Sequence, residues 1–136
     1  MAAKTLEELA ESFALFDNWE DRYRYIIELG QRLPPMDPAL RTEEHLVKGC
    51  TSRVWLVAMQ RDGKWHFLVD SDAQIVRGLI YILMLAYQDK TAEQVGGVNI
   101  ENAFEALGLG NHLSPSRRNG FFAMVERIRS ISSKTA

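Results

Sequence analysis

From Leu79 to Tyr87 the chain runs Leu79-Ile80-Tyr81-Ile82-Leu83-Met84-Leu85-Ala86-Tyr87, without one charged side chain. Just before it, Ile75 and Val76 fall at helical spacing with Leu79, Ile80, Leu83 and Met84, so the stretch reads as a helix that turns apolar nearly all round. Such a helix has no face to leave in water and becomes the buried centre of a domain. It is far short of the ~20 residues that a membrane span requires. The other elements must therefore wrap it. A chain of 136 residues, 46% apolar and 25% charged, suffices for one such domain, with a core that needs no disulfide or metal to hold it.

The wrapping elements are signalled on both sides. Thr5-Leu6-Glu7-Glu8 is a capping box that opens a helix carrying Leu6, Leu9, Phe13 and Phe16 on one face. Asp17 with Glu20 marks a second helix, with Trp19, Tyr23, Ile26, Ile27 and Leu33 apolar and Pro34-Pro35 as its stop. Residues 36–44 read as loop, followed by a short extended piece from His45 to Gly49. Val54 to Met59 is β-rich and apolar on both faces, which predicts a strand covered on both sides. Asp62-Gly63 is a hairpin turn, and Lys64 to Asp70 returns with Trp65, Phe67 and Val69 on one face. Ser71-Asp72-Ala73-Gln74 reads as the cap of the central helix. Thr91-Ala92-Glu93-Gln94, Asn99 to Gly108, and Ser114-Pro115 then delimit three further helices. The expected architecture is α+β: a small antiparallel sheet of about three strands packed against helices, as one domain over 1–136 with frayed ends at 1–4 and 133–136.

Sixteen basic and eighteen acidic residues leave a formal charge of −2, so net charge makes no case for binding nucleic acid or an anionic membrane. The start, Met1-Ala2-Ala3-Lys4-Thr5-Leu6-Glu7-Glu8, is polar and acidic, unlike a secretory signal, and a reducing cytoplasm is the expected setting. A single cysteine excludes an internal disulfide, a multi-cysteine metal cage and redox chemistry that needs a resolving thiol in the same chain.

That cysteine stands out by its surroundings. Cys50 lies in Val47-Lys48-Gly49-Cys50-Thr51-Ser52-Arg53-Val54-Trp55, at the turn between two extended pieces. Gly49, Thr51 and Ser52 are small, so the backbone can turn sharply and present the sulfur. Lys48 and Arg53 favour the thiolate, the reactive form. An idle structural thiol would sit inside an apolar run instead.

Other candidates are weaker. His45 and His112 are the histidines that a cysteine hydrolase would recruit as base, but alternation turns His45 away from Cys50. His66 completes the three, and no i, i+4 histidine pair or Cys/His cluster offers a metal site. Asp70 and Asp72 bracket a helix start, where capping accounts for acids. Arg117 and Arg118 sit at the start of the last helix, where cations oppose the macrodipole, so either an outside group uses them or they form a solvated face.

Taken together, four ordered motifs closely resemble the SufE family, the sulfur-acceptor partners of cysteine desulfurases. They are Trp19-Glu20-Asp21-Arg22-Tyr23-Arg24 with Leu29-Gly30 and Leu33-Pro34; Val47-x-Gly49-Cys50-x-Ser52-x-Val54-Trp55; Asp70-Ser71-Asp72-Ala73-x-Ile75-Val76-x-Gly78-Leu79; and Leu113-Ser114-Pro115-Ser116-Arg117-x-x-Gly120. Thr51 and Arg53 depart from the commonest form of the second motif, which has glutamine there. The resemblance implies a fold shared with the IscU-type iron–sulfur scaffold. It implies that Cys50 accepts persulfide sulfur from a SufS- or CsdA-type desulfurase that carries pyridoxal phosphate, stimulates that enzyme, and passes sulfur to iron–sulfur assembly such as the SufBCD complex. By the same resemblance the chain binds no cofactor or metal, is a carrier and not an enzyme, holds its loop cysteine in an apolar recess at rest, and uses Asp72 and Arg117 to orient the loop and contact the partner. A monomer or weak homodimer is expected. A small hydrolase using Cys50 with His45 or His112 is the alternative.

Overall fold

A computed structural model describes residues 5–133. In chain order the elements are α1 (Leu6–Ala14), α2 (Trp19–Gly30), 3-10 turns at Pro38–Leu40 and Glu43–His45, β1 (Val54–Arg61), β2 (Lys64–Ser71), α3 (Gln74–Tyr87), α4 (Ala92–Gly96), α5 (Ile100–Ala106), α6 (Leu109–His112) and α7 (Pro115–Ser133). The α+β class holds. Of the ends expected to fray, 1–4 and 133–136, residues 1–4 and 134–136 lie outside the described residues, while Ser133 is the last residue of α7.

The apolar run is the hub. Nine α3 residues are buried: Ile75, Val76, Gly78, Leu79, Ile80, Ile82, Leu83, Ala86 and Tyr87. Helix α2 crosses α3 at a pair of glycines. A Cβ on Gly78 would lie 2.1 Å from the Ile26 carbonyl oxygen, and one on Gly30 would lie 2.6 Å from the Gly78 nitrogen. Only hydrogen at both positions lets the two backbones approach so closely.

The sheet has two strands, not about three. β1 and β2 pair antiparallel from Val54↔Ser71 to Arg61↔Lys64. Asp62 and Gly63 take φ of 55° and 76°, the doubly positive turn that matches strand twist. The piece from His45 to Gly49 contributes a single bridge, Leu46↔Trp55, with the Val47 N–H donating to Val54 O at 2.8 Å. It goes no further because a 3-10 turn runs up to His45 and Gly49, at φ 93°, turns the chain away.

Trp65, Phe67, Val69, Val54 and Leu56 are buried core residues, and β2 packs on α3. The other face is covered only at one end, where Trp55 and Asp70 are buried; Met59 and Leu68 are exposed. The prediction of two covered faces thus holds only for the first half of β1.

Some start signals moved. Asn18, not Asp17, caps α2 by accepting from the Asp21 N–H, and Leu33 lies beyond the end of that helix. Ala73 is the N-cap of α3 and makes no side-chain cap bond. Ser71, read from sequence with Asp72 as that cap, accepts the Ala73 N–H at 3.2 Å, and both residues also reach back to Arg53.

Candidate functional site

The Cys50 turn is held at both ends. On its entry side, Val47 is pinned to Val54 by the bridge bond. On its exit side, Arg53 is clamped from the start of α3. The Asp72 carboxylate accepts from the Arg53 N–H at 3.2 Å, the Asp72 N–H donates to Arg53 O, and the Ser71 hydroxyl donates to the same carbonyl at 2.7 Å. The residues read as a helix cap are therefore the clasp of the cysteine turn.

Between these ends Gly49 reverses the chain and Cys50 drops against α7. Its Sγ–H points at the Gly120 carbonyl oxygen, 3.5 Å away. The absence of a side chain on Gly120 lets the turn come this close: a Cβ there would already touch Sγ at 3.5 Å. The recess holding the sulfur is walled by Val54, Val76, Leu79, Phe121 and Met124, with Thr51, Ser52, Ser116, Arg117 and Gly120 completing it. Its volume is about 20 Å³, room for about one atom of water's size.

Burial pushes the Cys50 thiol up from its ordinary value. The neutral thiol suits an apolar wall and a carbonyl acceptor, whereas a thiolate would lose hydration and face oxygen lone pairs. The cations that favour thiolate lie outside. Lys48, Arg53 and Arg117 are exposed, and their side chains form no ion pair among the described residues. At rest the sulfur is thus half-buried and held in its less reactive neutral form. Brought out of the recess, it becomes both reachable and easier to ionise.

Arg117 borders the recess and Asp72 clasps the turn, so the fold brings both to Cys50, together with Gly49, Thr51 and Ser52. The histidines are placed elsewhere. His45 Nδ1 bonds Leu40 O at 2.9 Å, His66 pairs with Asp89 at 2.8 Å, and His112 stacks on Trp19 with ring centres 4.2 Å apart. None borders the Cys50 recess, which leaves a hydrolase without its base.

Sequence reasoning put Asp70 down to capping at a helix start, and the structure gives it another role. This fully buried carboxylate pairs with Arg77 and with Arg41 (2.7 Å to the latter) and accepts from the Met36 and Ser71 N–H groups. Burial pushes its carboxyl up, but the two backbone donors, Arg77 and Arg41 outweigh burial and hold it below the usual carboxylate range. Arg77 also donates to Gly30 O and Leu33 O, and Arg41 lies over the Trp55 ring. The cluster ties the end of α2, the 36–41 loop and α3 to the strand end from which Ser71 reaches the clasp.

The class so defined is a small α+β domain that shelters one thiol on a clasped turn. The chain belongs to the SufE family: the family model, described as an Fe-S metabolism associated domain, matches residues 7–132. A SufE-like protein of Rhizobium meliloti is 42% identical over 130 residues, covering 93% of each chain. One of Rhizobium etli is 42% identical over 129 residues, covering 92% of this chain and 87% of its own. The solution structure of a hypothetical protein from Thermus thermophilus superposes with a TM-score of 0.76 at 23% identity, covering 98% of this chain and 97% of its own, and so shares the fold. Membership associates the chain with iron–sulfur metabolism. No helix among the described residues is long and apolar enough to cross a membrane.

Proposed function

We propose that this protein is a sulfur carrier and not itself an enzyme. Cys50 takes the terminal sulfur of a persulfide formed on a pyridoxal-phosphate-dependent cysteine desulfurase, speeds that enzyme by clearing it, and gives the sulfur to iron–sulfur cluster assembly through a SufBCD-type complex. The observation that carries the reading is the recess: it half-buries a lone thiol on a turn and leaves room for about one further atom.

The transfer is an exchange at sulfur. The Cys50 thiolate attacks the outer sulfur of the donor persulfide, a new S–S bond forms on Cys50, the donor's S–S bond breaks, and its cysteine leaves as thiolate. The proton released by Cys50 is available to that leaving thiolate. No external oxidant or reductant is consumed, because the sulfane sulfur keeps its oxidation state.

The resting thiol faces the Gly120 carbonyl, so the turn must leave α7 before attack. That step relinquishes one weak S–H···O contact and the burial of the sulfur. Asp72 and Arg117 serve as positioning and partner-contact groups, with Gly49, Thr51 and Ser52 shaping the turn.

The test is the intact mass of the protein after incubation with a cysteine desulfurase and free cysteine. One added sulfur on the wild type and none on a folded Cys50→Ser variant is expected. No added sulfur with any of several desulfurases would falsify the reading.

A further inference from the structure

One edge of β2 is paired with β1 along its whole length. Along the other, alternation turns the N–H and C=O groups of Trp65, Phe67 and Val69 outward. Trp65 is closed by backbone: its N–H donates to Lys90 O at 2.7 Å, and its O accepts from the Asp89 N–H at 3.0 Å. Phe67 is closed by a side chain. Its N–H donates to Gln88 Oε1 at 2.6 Å, and its O accepts from Gln88 Nε2 at 2.9 Å. A single side-chain amide thus makes both hydrogen bonds that a residue of a neighbouring strand would make. Val69 comes next, and among the described residues nothing makes the corresponding pair with it on that side.

Val69 and Gln88 border a cleft of about 300 Å³. Its other walls are Leu33, Pro34, Pro35 and Met36 of the loop after α2, Phe67 of the strand and Met84 of α3. That loop cannot close the edge itself. Pro34 and Pro35 carry no N–H, the Met36 N–H is given to Asp70, and Leu33 O is taken by Arg77. Leu68, a large apolar side chain left exposed, lines the same cleft, and Asp37 is the one charged residue among the described residues that line it. Backbone groups buried without a partner are costly, and an unpaired strand edge is a template for another chain.

We infer that this cleft seats a short extended segment of a partner protein, added to the edge of β2 at Val69, with an uncharged aliphatic side chain filling the cleft. The partner residue donates its N–H to Val69 O and accepts from the Val69 N–H, continuing the ladder that Gln88 begins. A donor and an acceptor side by side at strand spacing select a peptide backbone over a plain hydrocarbon. The segment is short, because the edge is already closed at Trp65 and the Ser71 N–H is taken by the Asp70 carboxylate. The volume, at the lower end for ligand pockets, agrees. None of the cleft residues borders the Cys50 recess, so the inference stands apart from the carrier reading.

The experiment follows the backbone amide signals of the nitrogen-15-labelled wild-type protein by NMR. The probe is the end-blocked peptide lysine-valine-leucine-valine-lysine, with versions carrying valine or phenylalanine at the centre. It is added up to about 10 mM, enough to saturate a site with a Kd of about 1 mM. The inference expects a saturable shift of the Val69 amide, and about tenfold weaker binding when the central residue is N-methylated and loses its donor to Val69 O. No saturable Val69 shift with any of the three peptides would overturn it. Equal binding of the N-methylated peptide would overturn strand pairing. So would equally tight binding of 4-methylpentanol, which offers the leucine side chain without a peptide group and would make the cleft a small-molecule pocket. A Val69 signal that moves on dilution of the protein alone would assign the edge to a second copy of this chain and overturn the partner segment.

Discussion

Gly49→Ala probes the gate on Cys50. Gly49 sits at φ 93°, and a Cβ there would lie 3.3 Å from the Ala123 Cβ. An L side chain in the left-handed region costs about 1–2 kcal/mol. The tight contact with α7 adds to that cost. Both penalties apply while the turn is packed on α7 and vanish once it lifts away. At one factor of ten per 1.4 kcal/mol, the lifted fraction should rise roughly five- to thirty-fold. The assay is the second-order rate of Cys50 alkylation by iodoacetamide at fixed pH, with opening faster than reaction, so that the rate follows the open population. It should rise by the same factor, while the melting temperature falls little, because the turn can relieve its strain without global unfolding. Alkylation at the wild-type rate, or slower, would refute the idea that the packed turn gates the thiol.

Three further outcomes follow from the same geometry. Gly78→Ala should destabilise the fold by about 3 kcal/mol or more in urea, because the new methyl meets the Ile26 carbonyl and can be relieved only by parting α2 from α3; a loss under about 1 kcal/mol would contradict that packing. Asp70→Asn should cost about 3 kcal/mol by leaving Arg77 and Arg41 without their carboxylate. Because the folded carboxyl lies below its unfolded value, its contribution is full above about pH 4 and is lost as pH falls through the folded value, so the variant should lack that part of the acid-side decline seen in wild type. For Cys50 the sign reverses. Its thiol is raised, so the pH profile of alkylation should have its midpoint above the ordinary ~8.5, and the stability due to burying the neutral thiol should be present below that pH and fall as pH rises through the folded value.

Local signals read well where one chemistry dictates one geometry. Asp62-Gly63 made a hairpin because both positions need positive φ, and Ser114-Pro115 opened α7 because a hydroxyl and a ring suit a helix start. The all-apolar run could only be central. Cys50 was legible because small and cationic neighbours are wrong for a core thiol. Errors arose where a short polar residue had two uses. Ser71 and Asp72 have the spacing of a cap, but their side chains reach across to Arg53, and that pairing depends on β1–β2 register. The strand before Cys50 was read too long because extended propensity says nothing about where a partner strand ends. The role of Asp70 lay out of reach for the same kind of reason. Its partners Arg41 and Arg77 come from either side of the hairpin, and only the folded topology brings them to one carboxylate. The Gly120 carbonyl has no side-chain signature at all; the one hint was a glycine at helical spacing from Arg117 and Met124.

The central claim is that one sheltered thiol both accepts sulfur and hands it on. A pulse–chase experiment tests both halves. The protein is loaded by a desulfurase with sulfur-labelled cysteine, freed of enzyme and substrate, and mixed with an apo iron–sulfur scaffold complex. The account predicts label on Cys50 after the pulse, absent from Cys50→Ser, and its transfer to the scaffold during the chase. Label that never reaches Cys50, or that stays on it throughout the chase, would contradict the account.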